Sequence, residues 1–172
     1  MEGIVYIAVS EDGYIADANG GVDWLEPFGS PDYGYEKFLA GIDKLIMGRA
    51  TYDQVRGFGD WPYGEKETLV LTSRPLNDPP AGVAAWLDPP GALGRTLWRK
   101  VGRCWIVGGA RTIDAMLKAG MVHTLELFVM PVKLGAGIPL WVNRPDLSRW
   151  GRFEVATFDN GAQHVRYLAP AC

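Results

Sequence analysis

The sequence is poor in residues that form disulfides or bind metals. Among its 172 residues there are two cysteines and two histidines. Cys104 lies within a predicted buried strand and Cys172 is the last residue, so we expect neither a disulfide nor a thiolate metal site. His123 and His164 stand far apart beside predicted strands, where a satisfied strand or surface histidine is a better interpretation than a metal ligand.

Long apolar runs and an excess of basic charge are also absent. No apolar run approaches the roughly eighteen residues of a membrane span. Residues 1–4 enter a strand directly, without the basic region and cleavage site of a signal peptide. The net charge is −3 and the Lys and Arg residues are scattered, so neither nucleic acid nor a membrane is an expected partner. These absences favour a cytoplasmic protein.

The composition that remains is typical of one globular domain over residues 1–172. Hydrophobic residues make up 48% of the chain, and this length is enough to bury a core. The seven Trp, seven Tyr and six Phe residues exceed what a minimal core needs. Some of them are therefore expected to line a pocket or a subunit interface.

Short apolar runs alternate with segments of helical spacing along the chain. Strands are predicted over 4–9, 44–47, 68–72, 82–86, 104–107 and 125–130, and helices over 35–42, 51–55, 93–101 and 112–118. A long loop is predicted between residues 13 and 35. Near the end, 153–158 and 163–168 flank an Asn-Gly pair, which is a strong signal for a hairpin. We predict an α/β fold with a mixed, mostly parallel sheet of about eight strands, helices on both faces and a C-terminal antiparallel hairpin.

One strand end has the features of a phosphate site. The apolar run 104–107 stops at Gly108 and Gly109 and passes into a predicted helix. Paired glycines let the backbone approach a ligand closely. The helix that follows would point its free N–H groups and positive dipole end at that ligand, most readily a phosphate. A tight turn alone would give the same local pattern.

Two further strand ends repeat this arrangement. Residues 44–52 run from a strand through Gly48, Arg49 and Thr51 into a helix, and residues 69–75 run from a strand into Ser73-Arg74-Pro75. Ligands bind at the carboxyl ends of strands in open α/β sheets, so three such ends predict a nucleotide cofactor site. The structural alternatives are surface ion pairs for the arginines, a plain turn at Ser73 and helix capping by the threonines.

Three motifs, in this order, resemble the dihydrofolate reductase-like superfamily: Ile-Met-Gly-Arg-x-Thr-Tyr at 46–52, Leu-Thr-Ser-Arg-Pro at 71–75 and Ile-Val-Gly-Gly-Ala at 106–110. A fourth, at 130–141, resembles the Pro-Val-x-Leu-Gly-x-Gly-x-Pro-Leu-Phe signature of the riboflavin-pathway pyrimidine reductases, the C-terminal domain of deaminase-reductases. The resemblance spans residues 3–168, and its motifs are specific for the superfamily rather than for a substrate.

The resemblance implies bound NADPH. Gly48 would allow close approach, Ser73 and Arg74 would hold the 2′-phosphate, and Gly108 and Gly109 would meet the pyrophosphate through a cis peptide. Aligning Trp24 with the tryptophan of the family's first loop places Ala8 at the nicotinamide carboxamide and Ile15 over the ring. The implied cofactor positions are Ala8, Ile15, Gly48, Arg49, Thr51, Thr72, Ser73, Arg74, Gly108, Gly109, Ala110, Arg111 and Thr112.

Hydride transfer also needs a proton source. In folate reductases this is a carboxylate near the start of the helix before the Met-Gly-Arg motif, and the family spacing places Asp32 there. The alternative is that Asp32 caps the helix. Asp12 and Glu36 are other acids that could face the pocket, and Trp24 and Glu36 are the predicted substrate contacts.

Two departures bear on the substrate. In folate reductases an arginine binds the glutamate tail of the substrate, whereas the corresponding position here, within residues 62–66, carries an acid. Glu36 stands where those enzymes have an apolar residue. Folate is therefore not an expected substrate. The zinc deaminase signatures are missing, and residues 10–36 contain no Lys or Arg to hold a phosphate.

The sequence therefore predicts an NADPH-dependent oxidoreductase acting on a small molecule, either a pteridine- or pyrimidine-like heterocycle or a carbonyl compound. The alternatives are a stand-alone pyrimidine reductase of riboflavin biosynthesis and a non-catalytic nucleotide- or flavin-binding module. Residues 125–130 and 138–141 could support a homodimer or could complete one core.

Overall fold

A computed structural model describes residues 1–97 and 102–170. The strands are β1 (Glu2–Ser10), β2 (Tyr14–Ala16), β3 (Lys44–Gly48), β4 (Glu67–Leu71), β5 (Val83–Trp86), β6 (Arg103–Gly108), β7 (Thr124–Met130), β8 (Ile138–Pro139), β9 (Gly151–Thr157) and β10 (Gln163–Leu168). The helices are α1 (Tyr35–Ala40), α2 (Arg49–Gly57), α3 (Pro90–Leu97) and α4 (Ala110–Lys118), with a 3₁₀ helix at Asp23–Phe28.

The main sheet has eight strands in the order β5-β4-β3-β6-β1-β7-β10-β9. The strands from β5 to β7 are parallel, whereas β10 is antiparallel to both β7 and β9. β2 and β8 form a separate small pair. The predicted α/β fold, with its mostly parallel sheet and C-terminal hairpin, is confirmed.

Alternating side chains of the central strands fill a core on each face of the sheet. Ile46 packs on one face with Ile113 of α4 and Leu93 of α3. Its neighbour Leu45 packs on the other face with Tyr52 of α2. Successive side chains of a strand point to opposite faces, and both faces of a parallel sheet are covered. This explains the uninterrupted apolar runs.

Several boundaries differ from the sequence-based prediction. α2 and α4 each begin two residues earlier than predicted, directly after Gly48 and Gly109. The loop predicted between residues 13 and 35 contains β2 and the 3₁₀ helix. Residues 98–101 of the predicted third helix, and Cys172, lie outside the described residues. No helix within the described ranges is long and apolar enough to cross a membrane.

Burial explains the chemistry of the thiol in β6. Cys104 is free and fully buried. Burial is the largest influence on its thiol and raises the pKa to about 12. It therefore acts as a small apolar side chain.

Candidate functional site

Four parallel strands bring the predicted junctions to one edge of the sheet. β4, β3, β6 and β1 are neighbours in that order and run in the same direction. β3 ends at Gly48 beside the end of β6, because Met47 pairs with Gly108. The turn at Thr72 follows β4, on the other side of β3. The three motifs thus share the carboxyl edge, where open α/β sheets bind ligands.

The starts of α2 and α4 face each other across this edge. A Cβ added to Gly48 would lie 2.6 Å from Oγ1 of Thr112 in α4. A Cβ added to Gly109 would lie 3.7 Å from Oγ1 of Thr51 in α2. Each helix therefore places a threonine against the glycine that precedes the other helix. The peptide between Gly108 and Gly109 is cis.

Both helices begin without a side-chain cap. Gly48 and Gly109 occupy the cap positions with extended backbone, and no side chain accepts a hydrogen bond from either first turn. Neither threonine caps its own helix. Orphan first-turn N–H groups next to a positive dipole end favour an anion. Ala110 and Arg111 lie in the first turn of α4, as Arg49 does in α2.

The three arginines of the site differ in their contacts. Arg49 Nε donates to both carboxylate oxygens of Asp53, at 2.8 and 2.9 Å, and Arg49 Nη1 donates to the Pro75 carbonyl at 3.4 Å. Arg49 thus forms an ion pair, which was the structural alternative to a cofactor contact, and it also connects α2 to the loop after β4. Arg74 and Arg111 are exposed and form no ion pair with any described residue.

A side chain shapes the turn after β4. Thr72 Oγ1 accepts a hydrogen bond from the Arg74 amide at 3.2 Å and donates to the Arg74 carbonyl at 3.0 Å. Ser73 and Arg74 are both exposed at the top of this turn. The turn therefore presents a hydroxyl and a guanidinium to solvent beside the helix starts.

A cavity of about 360 Å³ lies next to the end of β1. Its lining residues come from β1, the segment before α1, the start of α1, and β7: Tyr6, Ala8, Leu25, Phe28, Gly29, Pro31, Asp32, Tyr33, Tyr35, Phe128 and Met130. The structure thus brings Ala8 and Asp32 together, as the sequence predicts.

The other predicted ligand contacts lie outside this lining. Trp24 packs against the same apolar cluster as Ala8 and Phe128, and its indole Nε1 is buried without a hydrogen-bond partner among the described residues. Ile15 packs against the core on the opposite face of the sheet. Glu36 is exposed.

Asp32 is exposed, precedes the N-cap Gly34 of α1 by two residues and lines the cavity. Its Oδ1 accepts a hydrogen bond from the Gly34 amide at 2.9 Å, and its Oδ2 accepts one from the Glu36 amide at 3.3 Å. The second of these bonds reaches the first turn of α1, although Gly34 and not Asp32 occupies the N-cap position. A carboxylate has about four acceptor sites, so these two bonds leave acceptor capacity on the cavity side.

The cavity floor contains residues that sequence reasoning missed. Tyr6 and Phe128 have ring centroids 4.5 Å apart, and the Tyr6 hydroxyl donates to the Tyr33 carbonyl at 3.0 Å. Burial is the largest cause that raises the pKa of Tyr6, followed by the charges of Asp32 and Glu126. The alternation of β1, which places Tyr6 and Ala8 on one face, was the available signal.

Next to Phe128, two side chains bind the buried carboxylate of Glu126. The His164 ring stacks on Phe128 with centroids 4.2 Å apart. His164 Nε2 is 2.6 Å from Glu126 Oε2, and Arg166 Nε donates to Glu126 Oε1 at 2.7 Å. His164 is thus a paired strand histidine, and residues 1–97 and 102–170 contain no group of three His, Cys, Asp or Glu side chains that could hold a metal ion.

The C-terminal hairpin also reaches the cavity wall. Asn160 Nδ2 donates to the Tyr33 hydroxyl at 2.6 Å and to the Ser30 carbonyl at 3.2 Å. The same residue helps to form the hairpin turn, since its Oδ1 accepts from the Ala162 amide. Asn160 is therefore a positioning residue for the segment before α1.

The side chain of Asp12 holds the loop that follows β7. Asp12 accepts hydrogen bonds from Ser10 Oγ at 2.7 Å, from the Leu134 amide at 3.1 Å and from the Gly135 amide at 2.8 Å. These bonds, that of Ser10 first, lower the pKa of Asp12. The Leu134 and Gly135 amides of the 130–141 motif thus donate to a side chain of the same chain.

Replacing Asp12 with Ala should lower the Tm at neutral pH because these three bonds are lost. A depressed native pKa stabilises the fold above the unfolded carboxyl pKa of 3.8, and this stabilisation is lost as the pH falls through the native pKa. Thermal melts should therefore show the gap between wild type and variant shrinking under acid conditions. Glu11→Ala, at the neighbouring exposed residue, should leave the neutral-pH Tm close to wild type. A difference in Tm between wild type and Asp12→Ala that grows in acid would contradict the stabilising role of the Asp12 carboxylate.

Two curated proteins of Bacillus subtilis strain 168 are similar to this chain along most of their length. YwjB is 36% identical over 141 residues, which cover 80% of this chain and 81% of YwjB. YyaP is 30% identical over 176 residues, covering 95% of this chain and 93% of YyaP. Both are named as uncharacterized proteins. No protein-family model matches the sequence.

Several solved structures have a fold similar to that of this chain. A protein of Shewanella sp. PV-4 that is provisionally assigned to riboflavin biosynthesis shares 29% identity at a TM-score of 0.76, over 98% of both chains. Dihydrofolate reductase from Enterococcus faecalis, complexed with NADP(H) and RAB-propyl, shares 22% identity at a TM-score of 0.68, over 97% of this chain and 95% of the reductase.

A deaminase/reductase of Thermotoga maritima adds a third match. It is a diaminohydroxyphosphoribosylaminopyrimidine deaminase/5-amino-6-(5-phosphoribosylamino)uracil reductase and shares 15% identity at a TM-score of 0.70. The match covers 97% of this chain and 56% of that longer chain. The chain belongs to the same family as YwjB and YyaP, and it has the dihydrofolate reductase-like fold.

Proposed function

We propose that this chain is an NADPH-dependent reductase of a small heterocyclic, pteridine- or pyrimidine-like, or carbonyl substrate. The observation that carries the proposal is the adjacency of two sites at one sheet edge. Gly108 approaches Ile7 of β1, since a Cβ on Gly108 would lie 3.8 Å from Ile7 Cδ1. The next residue of β1, Ala8, lines the cavity that contains Asp32. A cofactor site and a substrate site would therefore meet at Ala8.

The residues present fit an extended dinucleotide phosphate. Gly109 has room beside Thr51 for a close backbone approach, and the uncapped starts of α2 and α4 would hold the pyrophosphate. Ser73 and Arg74 would hold the 2′-phosphate, with Arg49 beside them at the Pro75 carbonyl. When bound, this cofactor supplies the hydride. The similarity to a reductase solved with NADP(H) supports the choice.

Asp32 is the proposed proton source for the substrate atom left negative by hydride addition. It is the one acidic side chain among the described residues that line the cavity. The Gly34 and Glu36 amides fix its orientation, and the apolar walls formed by Phe28, Phe128 and Met130 would limit the access of water to the reacting atoms.

Replacing Arg74 with Ala should weaken NADPH binding by about 10- to 150-fold, because one charge-assisted hydrogen bond is worth roughly 1.5–3 kcal/mol. NADH has no 2′-phosphate and should bind the variant as it binds wild type. Titrations with both cofactors measure this, and added salt should reduce the wild-type preference because the turn is exposed. Arg144→Ala, at an exposed arginine of the segment after β8, is the control. Equal losses for NADPH and NADH would show that Arg74 shapes the loop instead.

The proposed activity has a direct test. NADPH should raise the Tm of the protein, and NADPH should be oxidised in the presence of one or more members of a panel of pteridines, pyrimidines and quinones. A Tm that does not respond to NADPH would overturn the proposal. A raised Tm without oxidation across the panel would favour the non-catalytic binding module.

The riboflavin-pathway reductase is the second candidate. The 130–141 motif and the assignment of the Shewanella protein favour it. The lining of the cavity argues against it, since no Lys or Arg is among the described lining residues. Assay with the ribosylamino-pyrimidine phosphate decides between the two.

A homodimer is also proposed, through a surface other than the one suggested by the sequence. Leu125, Leu127 and Met130 of β7 are buried in the single chain and complete its core. β9 is exposed along its whole length and carries Phe153 and Val155, which are 51% and 44% exposed. Sedimentation that shows only an 18.9 kDa species at micromolar concentration would exclude the dimer.

A further inference from the structure

The walls of the cavity are made of aromatic rings. Tyr6, Phe28, Tyr33, Tyr35 and Phe128 are five of its lining residues. The Tyr6 and Phe128 rings are in contact, and Tyr33 meets Phe128 edge-on with centroids 5.8 Å apart. Aromatic walls favour flat partners that stack on them. A volume of about 360 Å³ is near the lower end of the roughly 300–1,000 Å³ typical of small-molecule sites.

The charge of the cavity has one sign. Asp32 is the only carboxyl group among the described lining residues, which include no Lys, Arg or His. The cation beside the floor is already engaged, because Arg166 donates to Glu126, which His164 also contacts. Burial is the main cause of the raised pKa of Tyr6, and the charges of Asp32 and Glu126 add to it. An anionic group placed here would meet the carboxyl group of Asp32 and gain no counter-charge from the described lining residues.

We propose that the substrate is a flat molecule of one or two fused rings that carries no phosphate, sulfonate or carboxylate group. This inference rests on the proposed reductase function and narrows its substrate class. It separates this chain from enzymes whose substrates carry an anionic tail, since a site that meets such a tail with a carboxylate excludes it by repulsion.

Matched probe pairs test the inference at neutral pH. Pterin and pterin-6-carboxylate differ by one carboxylate, and their binding is followed by quenching of protein fluorescence, with and without NADPH. We expect pterin to bind at least about tenfold more tightly. Menadione and 1,4-naphthoquinone-2-sulfonate form a second pair, for which NADPH oxidation is followed and the uncharged quinone should react faster.

Equal or tighter binding of the carboxylate, or a faster reaction of the sulfonate, would overturn the inference. Failure of both uncharged probes to bind would overturn it as well. Failure of this inference can be distinguished from failure of the reductase proposal, because the change in Tm caused by NADPH tests the reductase proposal without any of these probes. Selective binding of pterin without any response to NADPH would retain the cavity assignment and remove the reductase.

A charge variant tests the cause of the selectivity. Leu25 lines the cavity from the 3₁₀ helix. Leu25→Arg supplies the missing cation and should bring the affinity for pterin-6-carboxylate to within about threefold of that for pterin. Leu25→Gln adds a long polar side chain without charge and should leave the preference intact. If both variants behave alike, charge does not set the selectivity. The wild-type probe pairs decide the main point even where a variant folds poorly.

Discussion

Gly109→Val is expected to abolish NADPH binding while the protein remains folded. A Cβ at this position meets only Thr51 Oγ1 within 4 Å, at 3.7 Å, which is an ordinary contact. The backbone of Gly109 is extended, with φ of −72°, so an L side chain causes no backbone strain there. The added methyl groups would occupy the space proposed for the pyrophosphate. Melts with and without NADPH measure this, because a ligand that binds the native state at 100 times its Kd adds about 2.7 kcal/mol.

Two other glycines serve as controls for this experiment. Gly57 ends α2 with nothing within 4 Å of an added Cβ, so Gly57→Ala should retain both stability and NADPH binding. Gly48→Ala should lose stability with or without cofactor, because its Cβ would lie 2.6 Å from Thr112 Oγ1. If Gly109→Val resembles Gly48→Ala and keeps its affinity per folded molecule, Gly109 only forms a turn.

Asp32→Asn should lower kcat by about a hundredfold or more and leave NADPH affinity unchanged. The asparagine oxygen can still accept the hydrogen bond from the Gly34 amide, one of the two that Asp32 accepts, so the segment before α1 keeps this contact. What the variant lacks is a group that can hold and release a proton in the cavity. Steady-state kinetics and NADPH titration on the same preparation separate the two effects.

The control for Asp32 is an acid of the same segment. Asp23 is exposed in the first turn of the 3₁₀ helix and does not line the cavity, so Asp23→Asn should keep normal turnover. Near-normal turnover of Asp32→Asn from pH 5 to 8 would remove the catalytic role. Asp32 would then be a helix cap alone.

The parts of this structure that the sequence predicts are those with local signals. Runs such as 45–47 and 104–107 are apolar at every position because both faces of their strands are covered. The glycines that end β3 and β6 stand directly after these runs. The junctions could therefore be located from neighbouring residues alone, without knowledge of strand order.

The cavity could not be predicted from the sequence, because it is formed by contacts between distant parts of the chain. Ala8 lies beside Phe128 because β1 and β7 pair in that register, and nothing near either residue specifies this pairing. Asn160 was interpretable only as a turn residue, since its bonds to Tyr33 and Ser30 cross more than a hundred positions of sequence. The 3₁₀ helix contains Pro27 and has no helical periodicity that could have revealed it.

The reciprocal placement of Thr51 and Thr112 has a consequence for how this fold can diverge. Gly48 is required by the packing of Thr112 whether or not a ligand binds, whereas Gly109 has space for a side chain. A descendant that abandoned its cofactor would keep the first glycine and become free to change the second. Position 109 is therefore the one at which we expect the residue to vary in lineages that lack the proposed nucleotide site.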